Sequence, residues 1–368
     1  MQDPRIGKLA DLIVSYSINV QPGEKVVIRS LTPAEPLLNE ISARIIRAGG
    51  YPFLALKFPE TAEQLFEFAS DEQLSHVSDV EQFVVDTFDG VILVRGENNT
   101  RALGNVPARK LMLAQQAEAV LMQKVMQRAA AGKIKWVSTL FPTNAYAQDA
   151  AMSLREYEDF VYRACMPDQN DPVGYWRGVE HKQARIVDWL KGKKQVRLLG
   201  ADTDLQLSID GRRFMNSCCK NNVPDGEIFT GPVESSVNGH VSFSYPAIYN
   251  GHELAGVRLW FENGRVVRAE ADKNEQFLHA ALDTDAGARY LGEFAIGTNY
   301  GIDRFTGQIL FDEKIGGSFH LALGNSYPIT GGQNKSVIHW DLICDLRSGG
   351  SIDVDGERLY QNGKFMLE

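Results

Sequence analysis

The sequence predicts a chain of two kinds: an N-terminal α/β domain with a helix-flanked parallel sheet, then an α+β domain that is hairpin-rich and mainly antiparallel. Three observations carry this. Residues 1–170 alternate short apolar runs with helical stretches, and residues 171–368 are punctuated by Asn-Gly and Asp-Gly dipeptides. The length of 368 residues suits two domains of roughly 100–200 residues better than one.

Val26–Ile28, Pro52–Leu56, Val91–Val94 and Ile134–Leu140 read as buried strands, each short, apolar and bounded by turn-forming or charged residues. Between them fall helix candidates at Ala34–Ala48, Ala62–Ala69, Pro107–Ala130 and Leu154–Arg163, the first stopped by Gly49-Gly50. Strand–helix alternation of this spacing implies a parallel sheet. It carries no G-x-G-x-x-G and no Walker loop, so it is expected to be a scaffold or lid. One more helix is expected over residues 171–192. Beyond it, Asp210-Gly211, Asn238-Gly239, Asn250-Gly251, Asn263-Gly264, Asp355-Gly356 and Asn362-Gly363 separate alternating apolar segments. Such pairs favour type I′ hairpins, whose two central residues need positive φ. A single helix is expected there, around Asn274–Leu291.

An apolar content of 44% excludes wholesale disorder, and a net charge of −9 disfavours a nucleic-acid or anionic-membrane partner. No apolar run reaches the length of a membrane span, and the N terminus shows no signal-peptide pattern, so a cytoplasmic protein is expected. Four cysteines without a C-x-x-C provide neither a disulfide framework nor a zinc knuckle.

Several motifs fail on inspection. His252-Glu253 lacks the second histidine of H-E-x-x-H, since Gly256 stands there. Asp283-Thr284-Asp285 opens like a calcium loop but does not continue as one. What survives lies between Glu227 and Asp341. In SVIHWDLICDL, strand alternation puts Val337, His339, Asp341 and Ile343 on one face, with Ile338, Trp340 and Leu342 on the other. An aspartate on an apolar face is costly unless paired or metal-bound, and a mutual hydrogen bond with His339 is the ordinary alternative. His320 sits in an apolar run in SFHLALGNSYP, with Tyr327 just after the Gly324-Asn325 turn. Glu227 and Glu293 each follow a glycine, which suits either close backbone approach or a plain bend. Taken singly, none of these is specific. Together, Glu227, Glu293, Asp341, His320 and His339 form the ligand inventory of a two-metal hydrolytic site, with Tyr327 available to a developing oxyanion.

At these residues the sequence resembles the M29 metallopeptidases, the aminopeptidase T and aminopeptidase S type. The similarity runs from LADLIVSYSINVQPGEKVVIRS through NVPDGEIFTGPVESSVNGHVSFSYPAIYNGHELAGVRLWFENGRVV and ALDTDAGARYLGEFAIGTN to SFHLALGNSYP and SVIHWDL. The resemblance implies a dimeric metalloaminopeptidase whose C-terminal domain holds two divalent ions, zinc or cobalt first, manganese or magnesium after them. The family's metal ligands fall on Glu227, Glu293, His320, His339 and Asp341, and its active-site tyrosine on Tyr327. Tyr327 and Glu293 are the residues expected to act in catalysis, with a metal-bridging hydroxide as nucleophile and peptides bearing a free N terminus as substrates. PITGGQNKSVI and AIGTNYGIDRFTGQ depart from the commonest form, which leaves substrate preference open. A different class of enzyme stays in view: a ring-cleaving dioxygenase holding one ferrous ion on His320, His339 and Asp341. It would need neither Glu227 nor Glu293.

Overall fold

Strands form where β-branched and aliphatic residues bunch between breakers, and four such runs build one parallel sheet. In this computed structural model, which describes residues 3–249 and 251–367, the sheet order is Tyr51–Lys57, Lys25–Leu31, Gly90–Arg95, Lys135–Leu140 and the short Asn222–Val223. The chain divides into two compact units. The first runs through Val173 and takes back Cys219–Pro224; the second is Gly174–Cys218 together with everything from Asp225 onward.

The first unit corrects the sequence reading at one strand. Pro52–Leu56 was expected to be a buried strand, yet strand Tyr51–Lys57 is the sheet edge, with Tyr51 66%, Phe53 44% and Leu56 44% exposed. An apolar run reads the same whether its neighbours are protein or absent, so periodicity cannot separate the two cases. Helices match the expected segments at Glu35–Arg47, Glu60–Phe68, Ala108–Ala130 and Leu154–Cys165. Gly49 does stop the first of them, at φ +80°. Helices at Pro4–Asp11, Asp79–Thr87 and Asn144–Asp149 were not anticipated. No helix among the described residues is long and apolar enough to cross a membrane.

Helix Pro172–Leu190 lies almost wholly in the second unit, which continues, among the described residues, as antiparallel sheets of eight, five and two strands. Asn263-Gly264, Asp355-Gly356 and Asn362-Gly363 turn hairpins with positive φ at both residues, as the type I′ argument requires. Asn238-Gly239 does not: it lies within strand Asn238–Ser242, where a Cβ on Gly239 would come 2.2 Å from the Asp204 carbonyl oxygen. That glycine is there for close approach. Asp210-Gly211 connects strands of different sheets, and Asn250 lies outside the described residues.

The expected helix around Asn274–Leu291 is only Glu275–Leu282. It ends because Asp285 draws the chain into a turn. Its carboxylate accepts from the Gly287 and Ala288 amides at 2.9 and 3.0 Å, and from Ser336 Oγ and the Val337 amide at 2.9 and 2.8 Å. Burial alone would raise this carboxyl, but those donors outweigh it and hold it below its usual value. Its contribution is therefore present above the ordinary carboxylate pKa and lost as pH falls through the lowered one. Asp285→Ala is expected to destabilise the protein by about 2 kcal/mol, read by equilibrium denaturation at pH 7, with the deficit shrinking in acid. A wild-type denaturation midpoint would show that the clamp contributes nothing.

Candidate metal centre

The centre is built on a sheet ordered His339–Asp345, Ser318–Gly324, Leu291–Gly297, Glu227–Thr230 and Met215–Ser217, every pair antiparallel. Alternation sends Ile228, Phe294, Ile296, Phe319, Leu321, Leu323, Trp340 and Leu342 into the hydrophobic core of the unit. The opposite face carries Glu227, Glu293, His320, His339 and Asp341. Register then sets the spacing. Glu293, Ala322 and Asp341 lie in one row across three strands, while His320 is opposite Ala295, which is opposite Phe229. Ala322 and Ala295 leave room where larger side chains would fill it. Gly292 lets the Glu293 strand approach the turn at Asn325, whose carbonyl oxygen would lie 2.2 Å from any Cβ there.

The polar atoms converge. His320 Nε2 is 3.6 Å from Glu227 Oε2 and 3.6 Å from Glu293 Oε1. His339 Nε2 is 3.3 Å from Glu293 Oε2 and 3.7 Å from Asp341 Oδ1. Most of these are long for hydrogen bonds. They suit two donors sharing a cation: ligands about 2.0–2.1 Å from a tetrahedral zinc stand about 3.3–3.5 Å apart. Two clusters result, Glu227–Glu293–His320 and Glu293–His339–Asp341, with Glu293 common to both. The mutual hydrogen bond between His339 and Asp341 is not formed.

Two further features fit a metal. Glu227 Oε2 and Asp341 Oδ1 are buried without a hydrogen-bond partner, a costly state for carboxylate oxygens unless a cation completes them. Each imidazole is also oriented through its other nitrogen: His320 Nδ1 is 2.8 Å from the Glu313 carbonyl oxygen, and His339 Nδ1 is 2.8 Å from that of Asn325. Both contacts place a proton on Nδ1 and turn Nε2 toward the carboxylates, where it could ligate a metal.

The charges within the cluster shift one another. Burial pushes the Glu227 carboxyl up to about 8 against the pull of Lys314. Burial also raises Asp341 to about 6. Glu293 goes the other way: burial opposes its ionisation, but His320 and His339 outweigh that and hold it down at about 2. Desolvation would lower both imidazoles, yet the carboxylates lift His320 to about 9 and His339 to about 10. Tyr327 packs edge-on to His339 at 5.2 Å and to Phe229 at 5.6 Å between ring centroids. The residue is 43% exposed, while desolvation of the phenol and the nearby Glu293 and Asp341 charges keep the hydroxyl protonated.

Sequence reasoning missed Glu313 and Lys314. Lys314 Nζ is fully buried and donates to Glu227 Oε1 at 3.2 Å and to the Glu313 carboxylate. An adjacent Glu-Lys pair ordinarily marks a solvated surface, so it gave no signal. Tertiary structure brings it in: Asp312 at the end of helix Ile309–Asp312 accepts from the Thr306 amide and hydroxyl at 2.8 and 2.9 Å, anchoring the turn that carries the pair. Gln183, from helix Pro172–Leu190, was also missed. Its amide donates to the Glu227 carbonyl oxygen at 2.7 Å and steadies that strand.

Comparison with known proteins agrees with this architecture. Aminopeptidase 2 of Geobacillus stearothermophilus is 27% identical over 100% of this chain and 98% of its own. Aminopeptidase T of Thermus thermophilus is 25% identical over 97% of this chain and 95% of its own. The solved structure of wild-type AmpT from Thermus thermophilus superposes with a TM-score of 0.87, covering 99% of both chains at 23% identity, which shows a common fold. The family described as thermophilic metalloprotease (M29) matches residues 2–365, and the chain belongs to it.

Proposed function

We propose that the protein is a metal-dependent aminopeptidase that removes N-terminal residues from peptides. It would work with two divalent ions, zinc or cobalt, held by Glu227, Glu293, His320, His339 and Asp341. The observation that carries this reading is Glu293 shared between two three-residue clusters on one sheet face. Bound there, such ions would acidify a water to serve as the nucleophile and would polarise the scissile carbonyl. This chain's residues do the rest. Three carboxylates offset most of the charge of two divalent ions, Nδ1 contacts hold both imidazoles in register, and Glu293 sits where both positions need it. Tyr327, protonated and partly exposed beside His339, donates to the oxygen that gains charge as the carbonyl is attacked. The dioxygenase reading leaves Glu227 and Glu293 without a role. A homodimer would cover the apolar side chains exposed at the first unit's edge strand and just after it, among them Tyr51, Phe53 and Phe58.

The test uses free and N-acetylated forms of the same short peptides. The free peptides should lose residues one at a time from the N terminus, and acetylation should stop it. A chelator should abolish the reaction and zinc or cobalt restore it. Internal cleavage of the blocked peptides would remove the exopeptidase assignment, and full activity in chelator would remove the metal.

A further inference from the structure

Lys314 has no part in the chemistry just described, yet it is the side chain most deeply placed in the centre. Its ammonium has no exposure to water and is held between Glu227 and Glu313. A buried cation of this kind is stable only among carboxylates, and it cannot swing out when another cation arrives. The two candidate metal positions have matching donor types. Each has the shared Glu293, one imidazole and one further carboxylate: Glu227 with His320 in one, Asp341 with His339 in the other. Their surroundings differ. Glu227 Oε1 is already committed to Lys314, so this carboxylate offers only Oε2. Asp341 has no lysine or arginine at ion-pair distance among the described residues, only the two imidazoles. Glu313 pairs directly with the ammonium, closer than Glu227 does, and offsets part of its charge, but it does not return the lost oxygen.

We propose that Lys314 makes the two positions unequal, so that Glu293–His339–Asp341 takes the first divalent ion and Glu227–Glu293–His320 takes the second more weakly. A cation seated on Glu227 faces a tethered positive charge in a medium that screens poorly, whereas one seated on Asp341 does not. This rests on the two-metal reading above. It adds that the second ion, and with it the paired centre, is present only above a threshold of free metal.

Two measurements test it on the full chain. The first is a calorimetric titration of metal-free protein with cobalt(II). Unmodified protein should show two dissociation constants separated by about tenfold or more. Lys314→Met should tighten the weaker about tenfold and leave the tighter within about threefold, and Lys314→Arg should keep the gap. Equal constants in the unmodified protein, or an unchanged gap in Lys314→Met, overturn the proposal. The second needs no variant, so it decides even if Lys314→Met does not fold. Crystals of the unmodified chain with one equivalent of cobalt should show anomalous density at Glu293–His339–Asp341. Equal density at both positions, or density first at Glu227, overturns the proposal and leaves the two-metal reading standing. A single ion at saturation overturns both.

Discussion

Glu293→Gln should lower kcat/KM on a free-amine peptide by on the order of 10³-fold or more and leave at most one weakly held ion per chain. Glu293 is the only residue common to both ligand clusters among the described residues, with Oε1 turned to His320 and Oε2 to His339. Glutamine keeps the shape but removes the charge, and it replaces one oxygen with a donor that cannot ligate. A catalytic metal contributes several kcal/mol of transition-state stabilisation, and each 1.36 kcal/mol is a factor of ten. The backbone pairing of Phe294 with Thr230 and of Ala295 with His320 does not involve the side chain, so the fold should persist. Metal content by mass spectrometry, steady-state kinetics and far-ultraviolet circular dichroism read the three claims separately. Two bound ions and undiminished turnover in Glu293→Gln would show that this carboxylate is not the shared ligand.

Metal loading should rise steeply with pH. In the metal-free protein the carboxylates hold protons on His320 up to about 9 and on His339 up to about 10, and ligation needs both imidazoles neutral. Around neutrality about two protons must leave from these rings and about one more from the Glu227 carboxyl when both positions fill, so the overall binding constant should climb by about 10⁶ between pH 6 and pH 8. The metal-free protein should respond in the opposite sense. A histidine whose folded pKa is raised contributes stability that is fully present below its unfolded value near 6.5 and lost as pH rises through the folded one. Without metal, stability should therefore fall across pH 7–10, and saturating cobalt should offset the loss. Calorimetry in buffers of different ionisation enthalpy counts the protons released. No net release at pH 7 would mean that the imidazoles are already neutral, or that they do not bind the metal.

Local pattern carried much of this protein. The five candidate ligands and Tyr327 could be named because they sit in ordered family blocks, and because a histidine and an aspartate two apart on a strand must share a face. The parallel sheet, the helix at Glu35–Arg47 and the hairpins at Asn263-Gly264, Asp355-Gly356 and Asn362-Gly363 were legible for similar reasons: each depends on residues near one another in the chain. Asn238-Gly239 and the shortened helix at Glu275–Leu282 were misread because contacts from distant segments, the Asp204 carbonyl and the Ser336–Val337 stretch, decide those backbones.

What the amino-acid order determined by itself was the alternation of elements, the turn chemistry and the donor types available for a metal. Only the tertiary structure decided which donors meet. The Glu293–Ala322–Asp341 row depends on the register of three strands, and hydrogen-bonded register is a property of the assembled sheet. The same holds for Lys314. A Glu-Lys pair looks like solvated surface until a turn anchored by Asp312 carries it into the centre, where the loss of water turns an ordinary charge into a fixed one.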